Sequence, residues 1–325
     1  MIHFCACMTL SSILFGSLAM AFEPPGPAER LRAIGTTTGL PETLKRALEP
    51  GADFKPIPVP RDGDWLAMHR EDGQTFDEYV RSRPNRPTGN RKKIYLQPLG
   101  QFPPEAVSLE TLRQYSAAYF AMEVEILPPL SLTTATLTSR INPFTRKRQF
   151  LTTRILEKLE SKLPDDAFCV LAVTMQDLYP DPSWNFVFGQ ASLRDRVGVY
   201  SFARYDPAFY GERKGPDYPK TLLRRSEKVL VHELAHMFGL QHCVYFHCVL
   251  NGSNHLGESD ARPLHLCPIC LRKLQYNIGF DVVSRYRNLL RFYQEAGFDE
   301  EARWVGKRLN WILSSRSDLE TPPVK

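Results

Sequence analysis

The chain has 325 residues, of which 43% are hydrophobic and 24% are charged. This composition is typical of a globular protein and excludes a disordered or fibrous one. The length allows one large domain or two modest ones. The net charge of +5 is a small excess that is spread along the chain. The concentrated basic surface of a nucleic-acid-binding protein is therefore not expected.

Residues 1–22 form a mostly apolar leader that ends in Ala19-Met20-Ala21. The pattern indicates a secretory signal peptide, although no Lys or Arg precedes the apolar run and polar residues interrupt it. The run is also too short and too polar for a membrane span. We expect no stable membrane insertion. A location in the cytoplasm or nucleus is slightly favoured, with secretion as the alternative.

Residues 23–90 are rich in proline and in charged residues, and they are predicted to form an N-terminal extension ahead of the main domain. Alternating prolines between residues 56 and 60 indicate an extended stretch. A short helix is predicted near 41–48, where a proline stands at the start. The stretch from Trp65 to Tyr79 is expected to pack on the main domain.

From residue 91 onward, apolar strand-like segments alternate with amphipathic helices. Such alternation predicts βαβ units, and therefore an α/β fold with a mixed, mostly parallel sheet. Residues 91–297 are predicted to form the main domain. Its first elements are predicted as strands at Lys93–Leu99, Val124–Leu127 and Phe168–Met175 and helices at Ser108–Phe120 and Phe150–Leu163.

Two more strands are predicted at Trp184–Ser192 and Val197–Tyr205. Either both pack inside the sheet, or one lies at an edge where a peptide could add itself as a strand. A long helix and a small, mostly helical C-terminal subdomain follow, and residues 298–325 are expected to form the last helix and a tail. The helices are predicted at Leu222–Phe238, Leu271–Asn277, Asp281–Tyr293 and Asp299–Ile312.

The most informative segment of the chain reads His-Glu-Leu-Ala-His-Met-Phe-Gly-Leu-Gln-His from position 232 to 242. His232 and His236 are four residues apart, so their imidazoles leave the same face of a helix and can meet one Zn²⁺. Gly239 can adopt a positive φ that ends the helix, and the turn brings in His242 as a third ligand. Three protein ligands leave a fourth position open, which is typical of a catalytic zinc site.

Glu233 stands beside the first histidine and can reach a water molecule at the metal as general base. The short pattern of two histidines and a glutamate also occurs by accident, on a solvated helix face with two ordinary histidines. The extension to Gly239 and His242 disfavours that alternative. The segment therefore predicts a zinc peptidase site.

Four of the seven cysteines form two close pairs that are separated by a loop, namely Cys243, Cys248, Cys267 and Cys270. Two close pairs, one of them a C-x-x-C, predict a structural zinc site with four thiolate ligands. The alternative is two disulfides, which would suit a secreted protein. Cys169 lies alone in an apolar run and is predicted to be an inert core thiol.

The stretch from His232 to Cys270 resembles the archaemetzincins, a family of metzincin zinc peptidases. The resemblance rests on the extended histidine motif followed at once by Cys243, on Cys248 and on the distant C-x-x-C. It covers about residues 90–295 and is closest to vertebrate-type members. Further similar segments are Asp166–Val170, Trp184–Ser192, Ser201–Tyr205, Ser253–Leu256 and Arg262–Leu264.

The resemblance implies a metzincin-like α+β fold and a zinc-dependent, aminopeptidase-like metalloprotease that acts on a peptide or small protein. It also implies two zinc ions per chain, one catalytic and one structural. Leu250 departs from the family pattern, because the family has a Met at this position beneath the metal. Leucine has a similar volume, so the site is expected to survive the exchange. The competing hypothesis is a catalytically weak zinc-binding scaffold or interaction protein.

Overall fold

The computed structural model describes the backbone of residues 2–7 and the residues 22–133 and 137–314. The predicted leader falls mainly on residues 8–21 and the predicted tail on residues 315–325. Both of these segments lie outside the described residues. No helix in the described part of the chain is both long and apolar enough to span a membrane.

One sheet of nine strands runs through the described residues, in the order β3-β2-β6-β9-β8-β7-β5-β4, and β1 pairs with β8. The strands are β1 (Ile2–Cys7), β2 (Lys93–Leu99), β3 (Val124–Ile126), β4 (Ser139–Ile141), β5 (Arg148–Leu151), β6 (Ala167–Thr174), β7 (Asp177–Tyr179), β8 (Phe186–Ser192) and β9 (Val197–Ser201). Among these nine strands, only β4 and β8 run against the common direction. The mixed, mostly parallel sheet predicted from the sequence is confirmed.

Eleven α-helices surround the sheet in the described part of the chain. They are α1 (Pro27–Ile34), α2 (Glu42–Leu48), α3 (Trp65–Met68), α4 (Phe76–Arg81), α5 (Leu109–Phe120), α6 (Thr152–Glu160), α7 (Tyr218–Met237), α8 (Leu256–Ala261), α9 (Pro268–Ile278), α10 (Val282–Glu295) and α11 (Asp299–Leu313). The last three form the predicted helical C-terminal part, in which α10 packs on α5 and α11.

Several predicted element boundaries differ from those of the structure. The helix predicted from Phe150 begins only at Thr152, because the two residues before it belong to β5. This strand forms a hairpin with β4 that the sequence pattern did not predict. The strand predicted to reach Tyr205 ends at Ser201 and continues as a 3₁₀ turn. The long helix α7 begins four residues earlier than predicted. Its first turn contains a proline, which is tolerated there because the first N–H groups of a helix have no partner within the helix.

The helix α7 packs on β8 and β9 through a stripe of apolar residues at helical spacing. Leu230, Leu234 and Phe238 are completely buried in this stripe. The ring of Phe238 stacks against Phe168 with centroids 4.2 Å apart and against Phe120 with centroids 5.3 Å apart. Burial of each such side chain contributes about 1.5–3 kcal/mol. The helix that carries the histidine motif is thus fixed to the middle of the sheet.

The proline-rich extension packs into the same hydrophobic core as the rest of the protein. Its buried side chains belong to one cluster with those of α7, α9, α10 and α11, and they include Ala33, Leu44, Phe54 and Tyr79. The hydroxyl of Tyr79 donates to the carbonyl of Phe238 at the end of α7 over 2.8 Å. The extension therefore reaches the end of the helix that bears the histidines.

Candidate metal centre

The three histidines predicted as metal ligands lie together in the interior of the protein. His232 and His236 project from the same face of α7, and their Nε2 atoms are 3.1 Å apart. His242 joins them from the segment after the helix, and one ring nitrogen of each residue lies within 4.8 Å of the others. All three side chains are at most 2% exposed. The described structure thus brings the predicted ligand set together.

Gly239 makes the turn that returns the chain to the other two histidines. Its φ of +82° lies in the left-handed region, where a side chain is strained. A Cβ at this position would lie 2.6 Å from Cβ of Pro84. The N–H of Gly239 donates to the His236 carbonyl over 2.8 Å, and that of Leu240 donates to the Ala235 carbonyl over 3.2 Å. These bonds close the helix and direct the chain toward His242.

Each of the three imidazoles is oriented by an oxygen atom at its Nδ1. The partners are the Val249 carbonyl at 3.0 Å for His232, the Leu240 carbonyl at 2.6 Å for His236 and the Glu71 carboxylate at 2.7 Å for His242. An oxygen at Nδ1 favours the tautomer that carries its proton there, which leaves the Nε2 lone pair for a metal. Burial, together with His236 and Arg262, holds the pKa of His232 well below its ordinary value. The ring is therefore in the neutral form that metals bind.

The carboxylate of Glu233 is buried beside this cluster. Its side chain is 1% exposed, and neither carboxylate oxygen has a hydrogen-bond partner within the described residues. Burial raises the pKa of the Glu233 carboxyl to about 8. A buried polar group without a partner costs about 1–3 kcal/mol. This cost is explained if the site also holds a metal ion and a water molecule, so the residues present fit a zinc centre.

Gly189 on β8 provides the space that Glu233 occupies. A Cβ at Gly189 would lie 2.6 Å from Oε1 of Glu233 and 2.9 Å from Cβ of Tyr200. A glycine inside a strand often marks such a close approach. This rule would have identified Gly189 in the sequence, where it stands inside the predicted strand Trp184–Ser192.

The four cysteines predicted as structural ligands also lie together. Their sulfur atoms lie within 4.8 Å of one another, and all four side chains are at most 3% exposed. The Sγ atoms of Cys243 and Cys267 are 3.6 Å apart, which is far longer than a disulfide bond. A tetrahedral zinc with bonds of about 2.3 Å separates its sulfur ligands by roughly 3.8 Å. The arrangement fits a zinc ion, and all four cysteines are free thiols rather than disulfides.

The thiols also differ in acidity, as expected for a buried set that shares protons. Burial opposes ionisation of Cys243, but hydrogen bonds from the other three thiols outweigh it and hold the pKa of Cys243 well below its ordinary value. The backbone N–H of Cys267 points to Sγ of Cys248 over 3.3 Å. Such a bond stabilises negative charge on sulfur, the form in which cysteine binds zinc.

One loop connects the two clusters. The N–H of Cys243, the residue after His242, donates to the carbonyl of Leu250 over 2.9 Å. The preceding carbonyl, that of Val249, is the partner of His232. Leu250 itself is completely buried.

Two residues near the histidines, the buried Arg262 and the partly exposed Glu71, were not predicted from the sequence as site residues. The guanidinium of Arg262 lies 3.2 Å from Nδ1 of His232 and donates to the carbonyl of Asn251. Glu71 is 171 positions away from its partner His242. No periodicity or spacing in the sequence links residues that are so far apart.

A helix on a mixed sheet carries two histidines and a glutamate beside the first of them, and the turn after the helix adds a third histidine. Such a set leaves one metal position open and defines a zinc metallopeptidase site. Residues 120–276 match the sequence model of peptidase family M54. Archaemetzincin-2 of Homo sapiens is 41% identical over 286 residues, which cover 79% of this chain and 79% of that protein. Archaemetzincin-1 of Homo sapiens is 34% identical, over 80% of this chain and 57% of that protein. The chain belongs to the archaemetzincin family of zinc metallopeptidases, as its motifs predicted.

Archaeal members of known structure match a smaller part of the chain. The archaemetzincin from Archaeoglobus fulgidus, complexed with malonate, is 29% identical and covers 56% of this chain and 99% of its own length, with a TM-score of 0.44. The archaemetzincin from Methanopyrus kandleri is 30% identical and covers 59% of this chain and 97% of its own length, with a TM-score of 0.46.

Proposed function

We propose that the protein removes residues from the amino terminus of peptides, with zinc on the three histidines and Glu233 as the general base. The observation that carries this proposal is the buried Glu233 carboxylate, which lies beside the histidines and has no hydrogen-bond partner within the described residues. A carboxylate in this state is available to accept a proton from a water molecule.

The chemistry divides between the metal and the protein. Zinc, when bound, supplies Lewis acidity toward water and toward the scissile carbonyl. Glu233 takes a proton from the attacking water as the new carbon–oxygen bond forms. It then transfers that proton to the leaving nitrogen as the carbon–nitrogen bond breaks. The three histidines hold their positions through the oxygen atoms at Nδ1.

We propose that the peptide substrate pairs with β8 in the place that β1 occupies in the described structure. β8 contacts the Glu233 carboxylate through Gly189, so a peptide in this place passes close to the site. The backbone of β1 pairs with β8 in antiparallel register from Ile2 to Cys7, and Cys5 lies opposite Gly189. This pairing supports the proposal, because it is the geometry in which an extended peptide adds to a sheet edge.

We also propose that the chain holds a second zinc ion, with a structural role, on the four cysteines. The burial of all four sulfur atoms within 4.8 Å of one another supports a closed site without room for substrate. Metal analysis tests the proposal. The wild type is expected to hold two zinc ions, and His236→Ala is expected to lose one of them.

The catalytic proposal is tested by digestion of an unbiased peptide library, followed by mass spectrometry. The wild type is expected to shorten peptides from their amino termini and to leave a matched library with acetylated amino termini intact. Cleavage of both libraries at internal bonds would contradict the aminopeptidase-like activity and leave an endopeptidase.

The role of Glu233 is tested with Glu233→Ala. Loss of the general base is expected to lower kcat by about 10²–10⁴ while the zinc content remains at two. Turnover equal to that of the wild type would exclude Glu233 as the base. A zinc-loaded wild type that cleaves no library would instead favour the scaffold hypothesis.

A further inference from the structure

We infer that Glu71 is a positioning residue for the catalytic zinc, because its carboxylate fixes the ring of the third ligand, His242. Oε1 of Glu71 lies 2.7 Å from Nδ1 of His242. The inference rests on the proposed use of the three histidines as zinc ligands. It adds to that site a residue from the proline-rich extension. This extension lies outside residues 120–276, which match the sequence model of the family.

His242 differs from the other two ligands in how its ring is oriented. His232 and His236 are held by α7, and their Nδ1 partners are neutral backbone carbonyls. His242 lies beyond the end of the helix, and its Nδ1 partner is a side-chain carboxylate. A charged acceptor forms a stronger bond than a carbonyl and increases the electron density on the ring. Glu71 therefore supplies the orientation that the helix does not give this ligand.

The segment that carries Glu71 is anchored on its N-terminal side by Trp65. The backbone N–H of Trp65 donates to Glu258 over 2.9 Å. The indole is buried, stacks on His69 with centroids 3.9 Å apart and meets the edge of the His242 ring at 5.1 Å. A Cβ at Gly252 would overlap this indole, so the absence of a side chain at Gly252 leaves the space that the indole fills. Trp65 thus packs on the same ring that Glu71 orients.

On the C-terminal side the segment is anchored by Gln74, whose side chain is buried. Its Oε1 accepts the N–H of Gln241, the residue before His242, over 3.3 Å. The ammonium group of Lys273 donates to the carbonyl and to Oε1 of Gln74. Glu71 therefore lies between two fixed points, and its side chain is 20% exposed. Fixed points on both sides allow the carboxylate to hold the ring without a large loss of conformational freedom on metal binding.

The test compares zinc affinity at the histidine site in Glu71→Ala, Glu71→Gln and the control Asp72→Ala. The control removes a neighbouring carboxylate that is 94% exposed. Loss of an acceptor bonded to a ligand histidine weakens metal binding by about 10–100-fold. We expect this loss for Glu71→Ala and a smaller one for Glu71→Gln, which keeps a neutral acceptor. Asp72→Ala is expected to bind zinc as tightly as the wild type.

Affinity is measured by competition with a chelator on the full chain, and zinc at the cysteine site serves as an internal reference. A second readout is the visible spectrum of Co²⁺ at the histidine site, which is expected to change in Glu71→Ala and not in Asp72→Ala. A thermal unfolding curve checks that each variant is folded. If Glu71→Ala does not fold, the nearly isosteric Glu71→Gln still tests the inference.

Zinc affinity and a Co²⁺ spectrum equal to those of the wild type in both Glu71 variants would overturn the inference. Failure of the proposed function is recognised separately with His236→Ala. If this variant also keeps two zinc ions, the histidines are not the metal site. If it loses one zinc while the Glu71 variants lose no affinity, only the role of Glu71 is excluded.

Discussion

The carboxylate of Glu233 and a glycine of the neighbouring strand lie in direct contact. Glu233 approaches Gly189 so closely that no Cβ fits between them. The rate of an enzymatic step is sensitive to such placement, since a displacement of 1 Å can cost about 10²-fold. The motif places Glu233 directly after His232, but the space at Gly189 determines the position of its carboxylate.

The variant Gly189→Ala is therefore expected to displace the Glu233 carboxylate and to lower kcat by roughly 10–100-fold. Zinc content is expected to stay at the wild-type value, because the histidines do not contact the new methyl group. Steady-state kinetics and metal analysis check the two expectations.

Gly198→Ala is the matched control for this variant. Its Cβ would also be crowded, lying 3.0 Å from Cδ1 of Leu171, but it does not face Glu233. It is expected to reduce stability without reducing kcat in the folded fraction. An equal loss of kcat in both variants would show that crowding of the sheet, and not the position of Glu233, limits the rate.

At the scale of elements, the helix α7 and the loop after it connect the histidine cluster and the cysteine cluster. The helix ends at the Gly239 turn, and the third histidine ligand is followed directly by the first cysteine ligand. The bond from the N–H of Cys243 to the carbonyl of Leu250 holds this junction against the loop that carries Cys248. We therefore expect a movement of the cysteine cluster to displace His242.

This connection predicts that Cys270→Ser weakens zinc binding at the histidines as well as at the cysteines. Loss of one of four thiolates loosens Cys243, and His242 then loses its fixed position. Catalytic-site affinity, measured by chelator competition, is expected to fall by up to about 10-fold, a smaller effect than removal of an acceptor bonded to a ligand.

Cys169→Ala serves as the control, because this thiol is buried in β6 and lies outside both clusters. It is expected to leave both zinc affinities unchanged. Unchanged affinity at the histidines in Cys270→Ser would mean that the two centres are independent.

At the scale of the whole molecule, the extension at 22–90 is tied to the C-terminal helices. The buried guanidinium of Arg308 on α11 donates to three backbone carbonyls at the end of α2, those of Arg46, Ala47 and Glu49, over 2.6–3.0 Å. The guanidinium of Arg272 on α9 donates to the carbonyls of Ile34 and Thr36. These bonds join the two ends of the described chain across one hydrophobic core.

Arg308→Met is expected to reduce the free energy of unfolding by about 2–4 kcal/mol, because it leaves buried carbonyl oxygens without donors. Lys307→Met is the matched control, since this lysine is exposed on the same helix. The free energy is measured by urea denaturation, and a single transition is expected because both segments share a core. A change of less than about 0.5 kcal/mol, which is the size of an ordinary surface effect, would contradict the proposed anchoring.

The sequence by itself determined the features that depend on local spacing. The separation of His232 and His236 equals one helical turn, so one helix face presents both imidazoles whatever the rest of the fold. The two close cysteine pairs predicted a four-thiol cluster, because cysteines a few residues apart can bind the same zinc ion. Apolar periodicity located β2, β6, α5 and the C-terminal helices, because strands and helices differ in their repeat along the chain.

Only the tertiary structure decided which distant residues complete the site. The approach of Glu71 to His242 and that of Gly189 to Glu233 join separate segments of the chain. The reversed direction of β8 and its place beside β9 depend likewise on strand pairing. Such contacts follow from the packing of whole elements around one core, which leaves no periodic signal in the sequence. The local pattern therefore specified the metal ligands, and the packing specified what orients them.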